Sequence, residues 1–286
     1  MELDEAEEAE LVSATVGDLV DAMTARPLGP DRHGRATYGT ASPEWWMGGR
    51  TFGGMVIAQA LSAALQSVPD DLPVHSLHGY FMRPTPPGAQ TVHVVEHLRD
   101  GRSFSSRAVT SSVEGSETFR MICSFHLPED GDEYQLPVAP GIPTPGEIEG
   151  VEAPVPFDVR ELGPSERRAD GTYESTRRCW FRAREALPDD PAVHACLLAY
   201  FSDMTGAAFR PLSLHAWGTH TDASLDHAVW FHHPSQFNAW HLYHQTSPSA
   251  SGSRGFNLGQ IYNADGVLVA STAQEGLMRY RPPTEA

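Results

Sequence analysis

Between Thr51 and Val68 the chain reads TFGGMVIAQALSAALQSV, a run of helix formers apolar on every side except a stripe at Gln59, Ser62 and Gln66. That pattern predicts a mostly buried helix. The period then changes. HSLHGYFMRP (75–84), QTVHVVEHLRD (90–100), SFSSRAVTSSV (103–113) and ETFRMICSFHL (117–127) read as strands, with Asp100-Gly101 and Glu114-Gly115 as tight antiparallel turns. One long helix followed by a meander is a coherent unit.

Residues 128–170 interrupt it, because they are dense in Pro, Gly, Glu and Asp without a sustained period. Such a segment predicts a connection draped over the surface. After it the pattern restarts. DPAVHACLLAYFSDM (190–204) predicts a second buried helix, with Asp190 as its cap and Pro191 at its first position. DHAVWFHHP, NAWHLYHQTSPSA, SRGFNLGQIYN and GVLVASTAQEGLMRY follow as strands, and NADG (263–266) makes a turn where VEGS (113–116) made one before. SLHGYFMRP and LDHAVWFHHP echo each other and end on prolines 234 − 84 = 150 positions apart. We therefore read one helix-plus-sheet unit used twice, with an N-terminal unit at 1–127, a linker at 128–180 and a C-terminal unit at 181–286.

Composition narrows the classes. A chain of 286 residues, 40% hydrophobic, has room for a sizeable core. Its start, MELDEAEEAEL, is acidic where a secretory signal needs positive charge, and no stretch has the 18 or so apolar residues of a membrane span. The cytosol is the expected address. A formal net charge of −17, with arginine supplying all 20 cations, argues against nucleic acid as a partner. Cys123, Cys179 and Cys196 are few, odd in number and scattered, which predicts reduced core residues. The 14 histidines, HSLH, HH (232–233) and HLYH among them, form no recognised ligand spacing with carboxylates, so no metal is expected. No serine lies in a G-x-S-x-G turn, which counts against an α/β-hydrolase type of nucleophile.

The order FGG.V..QAL, VHSLHGYFMRP, LRDGRSFSSR, AYFSD, LDHAVWFHHP, SRGF..G.IY and DGVLVAST.QEG.MR closely resembles the acyl-CoA thioesterase II family, from about Thr51 to Arg279 and weakest in the linker. The resemblance implies an α+β double hotdog fold, in which two tandem antiparallel sheets each wrap one central helix and join side by side. It also implies hydrolysis of an acyl-CoA to free acid and CoA without metal, cofactor or covalent intermediate, by a chain that pairs further into a homo-oligomer.

The family's water-positioning trio carries over to Asp203 in YFSD, Ser224 in DASLDHA, where close relatives usually have Thr, and Gln274 in STAQEG. The chemistry is self-consistent: a thioester carbonyl is already electrophilic, so a held, polarised water and donors for the oxyanion suffice. Asp203 ends an apolar helix, where an unpaired carboxylate is costly unless polar groups meet it. The alternative for Asp203 is to cap a turn beside Gly206. Gly53 and Gly54, at a helix start, offer backbone N–H groups for the oxyanion, although close packing of helix on sheet explains them too. Arg99, Arg102, Arg107 and Arg254 lie near strand turns, within reach of CoA phosphates or simply solvated. Two other functions stay open. DDPAVH (189–194) loosely follows a hydratase pattern, with proline and His194 wrongly spaced and the asparagine missing. A catalytically idle acyl-CoA-binding protein would share the fold.

Overall fold

The polar stripe of the first central helix has partners in a segment whose sequence shows no clear period. In the computed structural model, which describes residues 15–43, 49–138, 141–149, 156–162, 176–203 and 220–280, that helix is α2 (Gly53–Leu65). Gln59 donates to the carbonyls of Ala22 and Ala41 at 2.8 and 3.2 Å, and the Ala25 amide donates to Ser62 at 3.0 Å. These bonds dock α1 (Val16–Met23), β1 (Arg26–Pro30) and β2 (Ala36–Ala41) onto the helix. Thr15 and Asp18 close a capping box on α1, which buries Val16, Leu19 and Met23.

The strands are β3 (Val74–Phe81), β4 (Gln90–Asp100), β5 (Phe104–Val113) and β6 (Ser116–His126), then β7 (Phe157–Glu161) and β8 (Thr176–Ala183). Helix α3 (Pro191–Ser202) starts at Asp190, which caps the amide of Ala192. After it come β9 (His220–Ser224), β10 (Asp226–Phe231), β11 (His241–Ser251), β12 (Arg254–Asn263) and β13 (Leu268–Tyr280). All join one antiparallel sheet in the order β1-β2-β4-β5-β6-β3-β10-β13-β12-β11-β8-β7, with β9 also on β13. The order mirrors itself about the β3–β10 pair. That pair is the echo seen in the sequence: Ser76 lies opposite Trp230, His78 opposite Ala228 and Tyr80 opposite Asp226.

Both long helices lie against the sheet's inner face, within one hydrophobic core, and they touch each other. The ring of Phe52 meets that of Tyr200 edge-on at 5.1 Å. Phe181 of β8 stacks on Phe201 of α3 at 3.5 Å. Burying such aromatic pairs contributes about 0.5–1.5 kcal/mol each beyond their area.

Residues 128–180 depart from a plain surface connection, because β7 and β8 extend the sheet beyond β11. The strand β8 hides its period by being covered on both faces: Cys179 and Phe181 face the core, and Trp180 packs outward with Leu242 and Tyr262. Earlier linker residues cover that outer cluster. The indole of Trp180 donates to the carbonyl of Pro143 at 2.9 Å, and Gln135 bonds both Gly266 and Leu268.

Arg107 is only 2% exposed, so it is neither solvated nor available to a CoA phosphate. Its guanidinium donates to both oxygens of Ser67, to the carbonyls of Arg99 and Ser106, and to Asp100, tying the end of α2 to the β4–β5 hairpin. A buried charge needs that full set of acceptors.

Candidate active site

Three sequence positions up to 71 residues apart meet at the end of α3. Asp203 is the C-cap of that helix and is 5% exposed. The side-chain amide of Gln274, on the inner face of β13, donates to Asp203 Oδ1 at 2.5 Å and to Ser224 Oγ at 3.1 Å. A register slip places Ser224. Before Leu225, β9 pairs Ser224 with Gly276, whereas after it β10 pairs Ala228 with Ala273. The chain bulges by one residue, and the bulge turns Ser224 to the same face as Gln274. Asp226 holds the bulge by accepting from the Glu275 amide at 2.7 Å.

Gly53 and Gly54 complete the wall. A Cβ on Gly53 would lie 2.5 Å from Asp203 Oδ2, and one on Gly54 would lie 2.3 Å from the backbone oxygen of Tyr200. Glycine at both positions therefore lets the start of α2 approach the end of α3. The crowding at Gly54 is against the other helix, whereas a Cβ on Gly53 would also meet the Phe81 ring of β3 at 3.0 Å, so packing of helix on sheet contributes there. The Gly54 backbone pulls the Asp203 carboxyl down against burial, and the amides of both glycines, in the first turn of α2, have no acceptor within the helix.

Burial pushes the Asp203 carboxyl up to about 7 against the opposing pull of Gln274, the Gly54 amide, Ser224 and Arg50. A carboxylate so placed gains and loses its proton near neutral pH. Burial drives Cys123, Cys179 and Cys196 up to about 12, which leaves their thiols protonated. Among the described residues no three His, Cys, Asp or Glu side chains come together as metal ligands.

His227 joins the site without having been singled out from the sequence. It is 1% exposed on the inner face of β10, and burial lowers it to about 4, so it is neutral. Ser202 Oγ donates to the Ala199 carbonyl at 2.8 Å and lies 2.7 Å from His227 Nε2. The serine has one proton, so Nε2–H donates to it and Nδ1 carries the lone pair. That Nδ1 has no hydrogen-bond partner and faces Asp203 Oδ1 at 3.9 Å. Two acceptors facing each other mark a place for a donor. The available signal was the repeat itself, because a shift of 150 sets this histidine against Leu77, an apolar residue.

The remaining candidates lie elsewhere. His194 sits in the first turn of α3, nine residues or about 13 Å along the helix from Asp203, where its Nδ1 accepts from the Phe237 amide at 3.2 Å. Arg99 and Arg102 are exposed, and Arg254 pairs with Glu275 at 2.9 Å. The turn beside Gly206 lies outside the described residues.

Comparison with known proteins gives two family matches. Residues 155–277 match a model described as acyl-CoA thioesterase, and residues 42–126 match the acyl-CoA thioesterase N-terminal domain. The chain is 36% identical over 254 residues to acyl-CoA thioesterase 2 of Haemophilus influenzae, covering 81% of this chain and 88% of that one. It is 34% identical over 268 residues to human acyl-coenzyme A thioesterase 8, covering 83% of each. The crystal structure of the acyl-CoA thioesterase II TesB2 from Mycobacterium marinum superposes with a TM-score of 0.79 at 37% identity, covering 93% of this chain and 99% of that one. A hot dog fold protein of unknown function from Alicyclobacillus acidocaldarius shares the fold, with a TM-score of 0.76 at 21% identity over 92% of this chain and 98% of that one.

Proposed function

This chain belongs to the acyl-CoA thioesterase family and hydrolyses acyl-CoA to free acid and CoA, and we propose that it does so with Asp203 as general base on a water bordered by Gln274 and Ser224. The observation that carries the assignment is the buried carboxylate, raised to about 7, with Gln274 and Ser224 in hydrogen-bond contact beside it. Asp203 takes a proton as the water's oxygen bonds to the thioester carbon, and it returns that proton to sulfur as the C–S bond breaks. His227 Nδ1 accepts the water's second hydrogen, which suits its lone pair and neutral charge. The Gly53 amide serves the oxyanion. No metal or cofactor takes part in this route.

The same reading makes the fold a double hotdog, and the support for it is the mirrored strand order about β3–β10, which also draws β7 and β8 into the C-terminal unit ahead of the expected start at 181. It keeps a cytosolic address. It also keeps a homo-oligomer, supported by the apolar outer face at the join, where Tyr80, Ile122 and Trp230 are exposed. A hydratase reading would need His194 at the chemistry, and it stands at the wrong end of α3.

The test is thiol release from short, long and branched acyl-CoA by the wild type and Asp203→Asn. The variant loses about 10²–10⁴-fold in kcat, the usual worth of a positioned base, while its Kd for acyl-CoA stays within about threefold. Gln274→Ala loses turnover by the same route, and the double variant falls well short of the product of the two losses. A folded, fully active Asp203→Asn would return Asp203 to a structural cap.

A further inference from the structure

Asn257 is 3% exposed, and among the described residues it alone has two buried side-chain polar atoms, Nδ2 and Oδ1, without any hydrogen-bond partner. Leaving a buried donor and acceptor both unpaired is costly, and an apolar residue of similar size would avoid the cost. Its place is as informative as its vacancy. Asn257 stands directly opposite Gln274 across the β12–β13 pair, so both side chains rise from the same face of the sheet, with their Cβ atoms about 4.5–5.5 Å apart. Gln274 has already committed its amide protons to Asp203 and Ser224.

The neighbouring row on that face is bare at its two central positions. Gly255 pairs with Gly276, and Gly276 pairs in turn with Ser224. Ser224, Gln274 and Asn257 therefore border a glycine floor, with two of these three engaged in holding the carboxylate and the third unsatisfied in both senses. A carboxamide with a free donor and a free acceptor matches a ligand group that itself accepts and donates. Every acyl-CoA carries one such group within a few bonds of the reacting carbon, the nearest secondary amide of the thiol arm, and a 3-hydroxyacyl-CoA carries a second, the hydroxyl on its acyl chain.

We propose that Asn257 is a substrate-binding residue that pairs with a donor-and-acceptor group of the bound thioester beside its reacting carbonyl. The inference rests on the reading that Asp203 and Gln274 flank the thioester. It adds to that reading the group that fixes which way the substrate lies.

The test compares wild type, Asn257→Val and Asn257→Thr. Valine removes both orphaned atoms, and threonine keeps a hydroxyl that donates and accepts. Two readouts distinguish the two sources: kcat/KM by thiol release for matched 3-hydroxyacyl-CoA and unsubstituted acyl-CoA, and Kd for CoA alone by calorimetry. If the group is the acyl hydroxyl, Asn257→Val lowers the 3-hydroxyacyl to unsubstituted ratio by about tenfold or more, as expected when a site built for a hydroxyl loses its partner. If it is the arm amide, the same variant loses about tenfold on both thioesters and weakens CoA alone by a similar factor. In either case Asn257→Thr falls between wild type and Asn257→Val, and it carries the test should the valine variant fail to fold. An unchanged ratio together with unchanged CoA affinity overturns the proposal, as does a uniform loss that leaves CoA affinity intact. Failure of the thioesterase reading itself is separate, because it appears in the wild type as absence of thiol release from every acyl-CoA.

Discussion

Burial and hydrogen bonding pull the Asp203 carboxyl in opposite directions, and burial wins, holding it at about 7. Only the ionised form can take a proton from water. The kcat/KM for acyl-CoA should therefore rise with pH through an inflection near 7 and then level, and it should be lost on the acid side. His227, held near 4 by burial, adds no second inflection in that range. A pH profile of thiol release at low substrate checks this, and a flat profile between pH 5 and 9 would contradict it. At this scale the sequence was partly legible. Asp203, Ser224 and Gln274 came from resemblance, since nothing in the spacing of 203, 224 and 274 announces a shared site. His227 and Asn257 were not legible, because their meaning depends on which strand lies beside them. Asn257 acquires its place only from the pairing that sets it against Gln274.

The elements show where pattern suffices and where it fails. The strands β4, β5 and β6 were readable because their buried and exposed residues alternate and because Glu114 and Gly115, both at positive φ, make the tight turn between β5 and β6. The strand β8 was not, since both its faces are covered, and β1, RPLGP, is exposed throughout and carries two prolines. The crossing of α2 and α3 yields a differential prediction. In Gly54→Ala the new methyl meets the backbone of Tyr200, which cannot swing aside, so the variant should lose about 1–3 kcal/mol of stability. In Gly53→Ala it meets the Asp203 carboxylate and the edge of the Phe81 ring, side chains that can shift where a backbone cannot, so turnover should fall steeply with a smaller change in Tm. Thermal melts alongside thiol release check the pair. Equal losses of stability in both would contradict the assignment of one glycine to packing and the other to the site.

At the scale of the whole molecule, one sheet carries both halves, joined by the backbone ladder of β3 and β10. Residues 128–134 run exposed before Gln135 bonds Gly266 and Leu268, and Pro143 beyond it accepts from Trp180. Chymotrypsin should cut first after Tyr134, whose side chain is 88% exposed, and the two fragments should stay together on gel filtration. First cleavage inside α2 or α3, or fragments that part without denaturant, would contradict the shared sheet. The central claim, that this molecule sends water and not its own carboxylate to the thioester, has one direct measurement: a single turnover with enzyme in excess in ¹⁸O-labelled water. Attack by water predicts that the label appears in the fatty acid in that first turnover and that Asp203 stays unlabelled. Label in Asp203, with unlabelled oxygen passed to the product, would mean that the carboxylate attacks the thioester and would contradict the account.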